Sequence, residues 1–161
     1  MSFDTARAYL REKGYEERIR TFDVSSATVE LAAQAVGCEP AHIAKTLSFA
    51  VDGGCVLIVC AGDAKIDNSR FKAQFHTKAT MLTPEQVVEF TGHAIGGVCP
   101  FGITDPRTTA YLDVSLRRFD VIYPAAGNAA SAVRLSCDEL AELAGSAGWI
   151  DVCKNWDRGE D

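Results

Sequence analysis

Apolar and polar positions change period several times along the chain, and each change marks an element. Phe3, Ala6, Tyr9 and Leu10 recur at helical spacing, and Gly14 is placed to end that helix. Residues 18–23 suit a short strand. A second helix is predicted over Val29–Val36, with Ser26 or Thr28 as its cap and Gly37 as its stop. Residues 44–51 then alternate like a strand, Asp52, Gly53 and Gly54 supply a turn, and residues 55–61 run back, which predicts a β-hairpin. Asn68–Phe75 has helical spacing. Thr83-Pro84-Glu85-Gln86 starts another helix: a cap, a proline at the first helical position and a glutamine that closes a capping box. Val87, Val88 and Phe90 give that helix its apolar side, and Gly92 stops it. Strands are predicted over 109–113, 120–123 and 131–135, with a turn at 124–128. Ser136 and Glu139 form a second capping box, opening a helix through Leu143 that Gly145 can end. Residues 149–152 suit a last strand. Helices and strands interleave irregularly, without repeat or linker, so the pattern predicts one mixed α/β (α+β) domain over residues 1–161.

Within the hairpin, Ile43, Lys45, Leu47, Phe49 and Val51 share one face, while Thr46, Ser48 and Ala50 share the other. Lys45 therefore opens an apolar row. A lysine there either snorkels out at the strand end or lines a polar cleft beside the core, and the pattern alone favours snorkelling. The segment 92–102 breaks every period: it holds four glycines and Pro100 in eleven residues. It lacks GK[ST] and G-x-G-x-x-G spacing, so no nucleotide fold is supported. Gly96 and Gly97 carry no Cβ and let a ligand approach main-chain N–H groups, which suit a developing oxyanion or a phosphate. A tight structural turn is the other reading.

The composition is that of a soluble globular protein, with 47% hydrophobic and 24% charged residues among 161. No apolar run approaches the ~18 residues of a membrane helix. The N-terminal residues lack a basic start followed by an apolar stretch, so no secretory signal and a cytoplasmic location are expected. The net charge is −6, which makes broad nonspecific nucleic-acid binding a poor fit. Much of the excess is local: residues 138–161 hold seven acids and two bases. Residues 63–80 are basic instead, with Lys65, Arg70, Lys72 and Lys78 against Asp63 and Asp67. They form either a solvated face or a local contact with nucleic acid. The six cysteines, 38, 55, 60, 99, 137 and 153, have no CxxC or CxxH spacing. Free, mostly buried thiols and no metal site are expected.

His93 and Cys99 suggest a thiol nucleophile with a histidine base, although no third residue is identifiable to orient the imidazole. His42 suits a surface or capping role. His76 lies in the basic segment, beside a phosphate or simply in solvent. Asp105 and Asp113 are lone carboxylates rather than an acid–base pair.

Three segments in order carry a resemblance. They are Thr28–Ala33 with Gly37 and Ile43-Ala44-Lys45-Thr46-Leu47; then Gly96-Gly97-Val98-Cys99-Pro100-Phe101-Gly102; then Tyr111-Leu112-Asp113, Phe119, Tyr123-Pro124-Ala125-Ala126-Gly127-Asn128 and Val133–Ser136. Together the chain resembles the YbaK family, the aminoacyl-tRNA deacylase domains related to the editing insertion of bacterial prolyl-tRNA synthetases. The GGVCPFG and PAAG forms are similar to the stand-alone, YeaK-like branch and differ from the GGxSPxG form of cysteinyl-tRNA(Pro) deacylases.

The resemblance implies a barrel-like mixed sheet with surrounding helices. It implies hydrolysis of the ester between a wrong amino acid and the 3′ adenosine of tRNA, without cofactor or metal. It reverses the snorkelling reading of Lys45, which becomes a catalytic and substrate-binding residue. Backbone N–H groups at Gly96, Gly97, Val98 and Cys99 would polarise the carbonyl. Phe49, Ile66, Cys99, Pro100, Phe101 and Gly127 are the expected substrate-pocket residues, and Ala, Ser or Thr the expected amino acids. The partners implied are the 3′ aminoacyl end of a mischarged tRNA and an aminoacyl-tRNA synthetase. A cysteinyl-tRNA(Pro) deacylase and a non-catalytic module that binds a tRNA end or a synthetase remain as alternatives.

Overall fold

The hairpin is the centre of the molecule in the computed structural model, which describes residues 2–23, 28–94 and 97–156. Strands β2 (Ile43–Val51) and β3 (Gly54–Ala61) pair antiparallel, from Val51↔Gly54 down to Ala44↔Ala61. The turn is only Asp52-Gly53, with φ of 51° and 78°. Two left-handed residues match the right-handed twist of the flanking strands. Gly54, expected in the turn, is instead the first residue of β3. A side chain there would lie 2.5 Å from the Arg107 carbonyl oxygen, so the close approach requires glycine.

The other strands are β1 (Ile19–Thr21), β4 (Lys65–Ile66), β5 (Thr108–Asp113), β6 (Tyr123–Pro124), β7 (Ser131–Val133), β8 (Trp149–Ile150) and β9 (Cys153–Lys154). The main sheet runs β6-β2-β3-β5-β8, with β2–β3 antiparallel and the other neighbours parallel. Two small antiparallel pairs, β1–β7 and β4–β9, complete the set. This is the mixed α+β class expected. Several strands are shorter than their patterns suggest. The 120–123 segment contributes only an Ile122↔Leu135 bridge before β6. Of the 149–152 run only Trp149 and Ile150 are strand; the Val152 N–H is taken by Asp113 Oδ1 at 2.9 Å, and β9 follows outside the predicted run.

Among the described residues five α-helices surround the sheet: α1 (Ser2–Glu12), α2 (Val29–Val36), α3 (Asn68–Phe75), α4 (Pro84–Thr91) and α5 (Cys137–Leu143). Their ends follow the predicted chemistry. Thr28 caps α2 by accepting from the Leu31 N–H, and Gly37 ends it at φ 85°. Ser26 lies outside the described residues. Both capping boxes form, at Thr83/Gln86 and at Ser136/Glu139.

β3 contributes to both apolar clusters. Val56, Ile58 and Cys60 join Leu10, Phe49, Phe71, Leu112 and Leu140 in the larger one. Cys55 and Leu57 join Leu82, Val87 and Phe90 under α4. Cys55 and Cys60 thus point to opposite faces, as their odd separation requires.

Candidate active site

β2 is only partly paired on its outer edge. β6 covers Ile43 and Ala44 and stops at Pro124. At the other end the Ala50 N–H donates to the Thr80 carbonyl (2.8 Å) and the Leu82 N–H to the Ser48 carbonyl (3.4 Å). Even-numbered residues of β2 therefore aim their main-chain groups outward, away from β3. Between the two covered stretches, Thr46 directs its N–H and C=O into a gap in the sheet.

That gap is a cleft of about 330 Å³. β2 residues 43–48 form its floor. Thr28, Val29 and Ala32 of the α2 start form one wall; Met81, Leu82, Val87 and Val98 form an apolar wall; Tyr123, Ala125, Asn128 and Ser131 close the end. The volume suits a small ligand. Thr46 Oγ1 is buried without a hydrogen-bond partner among the described residues, a costly state that an incoming donor or acceptor would relieve.

Lys45 lines this cleft and is half-buried, so it does not snorkel freely. Its ammonium donates to the Ala64 carbonyl (2.5 Å) and the Gly62 carbonyl (3.4 Å). An ammonium has three N–H groups, so one is left for a ligand. The turn that supplies these carbonyls is itself clamped. Asp63 takes a fork from Arg118, at 2.6 Å from Nη2 and 3.0 Å from Nη1. Arg118 is held in turn by the Ser115 carbonyl and lies over the Trp156 ring. Gly62 must be glycine, since a Cβ would meet the Pro40 carbonyl oxygen at 2.0 Å.

The glycine loop crosses the cleft from Lys45, and only part of it faces in. Gly96 lies outside the described residues. The Gly97 N–H donates to the Ala94 carbonyl at 3.0 Å, so it is not offered to a ligand, contrary to expectation. Gly97 instead allows close packing: a Cβ on it would lie 2.4 Å from Asn128 Cα. Val98 lines the cleft. The Val98 and Cys99 N–H groups have no acceptor among the described residues.

The Cys99 side chain is fully buried, and burial pushes its thiol up to about 12. His93 is fully buried too, and desolvation lowers its pKa. Its Nε2–H donates to the Phe101 carbonyl at 2.9 Å, and Cys99 Sγ lies 3.6 Å from the same nitrogen. That nitrogen already carries a proton, so it cannot take the thiol's. The pair braces the loop, and the buried Cys99 thiol is not among the residues that line the cleft.

Other expected pocket residues also sit elsewhere. Phe49 is 3% exposed and packs on Phe71, with ring centroids 4.9 Å apart. Its strand face looks into the core, and its bridge partner Met81 takes the place on the cleft wall. Ile66 packs against the main core from β4. Phe101 is buried beside Tyr9, and Pro100 lines a separate hollow with Tyr9, Gly102 and Ile103. Gly127, at φ 100°, shapes the turn that presents Asn128. Asp113 is a buried structural carboxylate, accepting from Ser115 and Val152. Asp105 is tied up by Arg107. His42 Nδ1 meets the Val121 carbonyl, and His76 ends α3 at φ 61°. Thr46, Leu82 and Asn128 were not anticipated as site residues. Thr46 and Asn128 lie within the motif segments that carry the resemblance, whereas nothing in the local pattern marks Leu82.

Among the described residues no cluster of three or more His, Cys, Asp or Glu could hold a metal. No helix among them is long and apolar enough to cross a membrane.

Residues 23–143 match the aminoacyl-tRNA editing domain. The chain belongs to that family. It is 49% identical over 159 residues to the uncharacterized protein YwhH of Bacillus subtilis (strain 168), covering 98% of this chain and 100% of that protein. It is 24% identical over 115 residues to a proline–tRNA ligase of Thermotoga maritima, covering 70% of this chain but only 20% of the ligase. A solved structure described as a "putative trans-editing enzyme for prolyl tRNA synthetase" superposes with a TM-score of 0.85 at 31% identity, over 95% of this chain and 97% of that one. The hypothetical protein APE2540 superposes with a TM-score of 0.81 at 25% identity, over 93% and 99% of the two chains.

Proposed function

We propose that this protein is a trans-acting deacylase that hydrolyses the ester of a mischarged tRNA, with Ala, Ser or Thr as the amino acid removed. The observation that carries the reading is that one cleft is lined both by Lys45, whose ammonium is anchored, and by Val98 of the glycine loop. An aminoacyl ester is already activated, so positioning and a few charge-directed hydrogen bonds suffice.

In this mechanism the free N–H of Lys45 binds an oxygen of the terminal nucleotide or the ester and fixes the 3′ end over β2. The Val98 amide receives the carbonyl oxygen as it gains charge. Water, oriented by the vicinal ribose hydroxyl, adds to the carbonyl carbon. The bond to the ribose oxygen then breaks, the proton from water goes to that oxygen, and the free amino acid leaves. Thr46, with its unpartnered Oγ1 and its outward main-chain groups, can hold the amino acid's polar atoms. Leu82, Val87 and Val98 limit side-chain size. An apolar wall of this kind separates neighbours differing by one methylene by only ~1–3 kcal/mol, so overlap among small amino acids is expected.

The decisive assay uses tRNA mischarged with Ala, Ser, Thr or Cys and follows release of the amino acid. Wild type should deacylate at least one of the first three, and Lys45→Ala should do so about 10- to 100-fold less efficiently. Preference for the Cys ester would replace the specificity proposed. Binding of every charged tRNA without turnover would replace the enzyme with a non-catalytic module.

A further inference from the structure

The short pair β4–β9 sets two cations against each other. Lys65 and Lys154 are direct register partners, so their side chains leave the same face of a two-stranded antiparallel ribbon. Both are exposed. The next pair, Ile66 and Cys153, points the other way, toward the core. Like charges directly opposite destabilise a strand pair, and no neighbouring acid among the described residues offsets them. Asp63 is committed to Arg118. Asp67 Oδ1 accepts from the Ser69 and Arg70 amides, and Asp151 pairs with Arg70 at 3.1 Å. On a chain of net charge −6, the pair extends the locally basic segment 63–80. Its position is specific too: Lys65 follows Ala64, whose carbonyl holds the Lys45 ammonium at the cleft.

We propose that Lys65 and Lys154 form a phosphate-binding pair that grips the RNA backbone next to the 3′ end while that end enters the cleft. The inference rests on the editing reading above for its ligand, but its test does not depend on turnover. Each phosphate contact to a single strand contributes about 0.7 to the slope of log affinity against log salt. The doubly substituted Lys65→Gln/Lys154→Gln protein should therefore show a slope shallower by about 1.4. At 0.15 M salt its KM for mischarged tRNA should rise roughly tenfold. Its kcat, and its hydrolysis of an aminoacyl-adenosine ester that lacks any phosphate, should match wild type.

Binding of uncharged tRNA, followed by fluorescence anisotropy, should weaken by the same factor. Lys154→Glu adds a second readout, because an opposite-charge pair replaces a repulsive one: its melting temperature should rise while tRNA affinity falls. An unchanged salt slope and unchanged anisotropy in the double variant overturn the pair as a phosphate site. If wild type binds tRNA through these lysines yet hydrolyses no ester, the pair stands and the editing reading fails.

Discussion

Gly97 and Asn128 are packed main chain to main chain, with a Cβ on the glycine destined to lie 2.4 Å from Asn128 Cα. The contact joins the glycine loop to the turn that closes the cleft. It also explains why this glycine is required although its amide is used internally by Ala94.

Gly97→Ala must push the two segments apart, because the clashing atoms are backbone and cannot swing away. Overpacking of this kind costs typically 1–3 kcal/mol. The variant should melt at lower temperature and lose deacylation more than tenfold, since the displaced loop carries the Val98 amide. Chemical denaturation and single-turnover deacylation measure the two effects. A variant as stable and active as wild type would show that the loop and turn move independently.

Lys45→Ala removes a charge-assisted hydrogen bond, typically worth about 1.5–3 kcal/mol. The expected loss in kcat/KM is therefore about 10- to 100-fold, with little change in melting temperature, because the lysine meets only carbonyls that can turn to water. Lys45→Arg should recover little, since a planar fork does not replace an ammonium with three freely rotating N–H donors. Steady-state kinetics on the preferred mischarged tRNA decide this, and full activity in Lys45→Ala would remove the lysine from the mechanism.

Much of the fold was legible because helix ends carry local chemistry. Thr83, Gln86, Ser136 and Glu139 announce their capping boxes from spacing alone, and Asp52-Gly53 announces a two-residue hairpin turn. The cleft was not legible in that way. It exists because β6 ends at Pro124 while the 80–82 segment reaches only Ser48, a relation between distant pieces of chain. The apolar period of β2 correctly put Phe49 and Lys45 on one face, yet it cannot say that the face is core at Phe49 and solvent-accessible at Lys45. Cys99 and Phe101 lie beside Val98 in sequence, but only Val98 faces the cleft.

Arg118 should act as a positioning residue, through Asp63 and the turn that holds Lys45. Arg118→Ala breaks a two-bond fork and a stack on Trp156, at a cost of about 1–3 kcal/mol for hydrogen bonds to charged groups. Its kcat should fall while its KM for tRNA changes little, because the misplaced group is the ammonium rather than the RNA contact. Arg118→Lys should restore only part of the activity, for want of the bidentate geometry. A loss of stability with kcat intact would make the clamp purely structural.

Cys99 offers a direct check on the chemistry. Its thiol is fully buried and pushed up to about 12, so almost none is thiolate at neutral pH and none is accessible. Iodoacetamide should leave activity unchanged under native conditions, and Cys99→Ser should retain most of its turnover. Rapid inactivation with a single adduct on Cys99 by mass spectrometry would restore the thiol mechanism.

His93 ties stability to pH. Burial lowers its pKa below the usual 6.5, so the folded protein holds this proton less well than the unfolded chain. Where the unfolded chain binds more protons, stability rises with pH. His93 therefore favours folding fully above about pH 6.5, and that contribution is lost progressively as pH falls from 6.5 to the depressed native value. Protonation would also leave a charge beside the Phe101 carbonyl and Cys99. In urea titrations between pH 5 and 7.5, wild type should lose stability toward acid with a slope of up to about 1.4 kcal/mol per pH unit from this group. In His93→Gln, whose amide can still donate to Phe101, the same interval should be flatter by that amount. Parallel profiles for the two proteins would mean that the buried imidazole carries its proton in the native state.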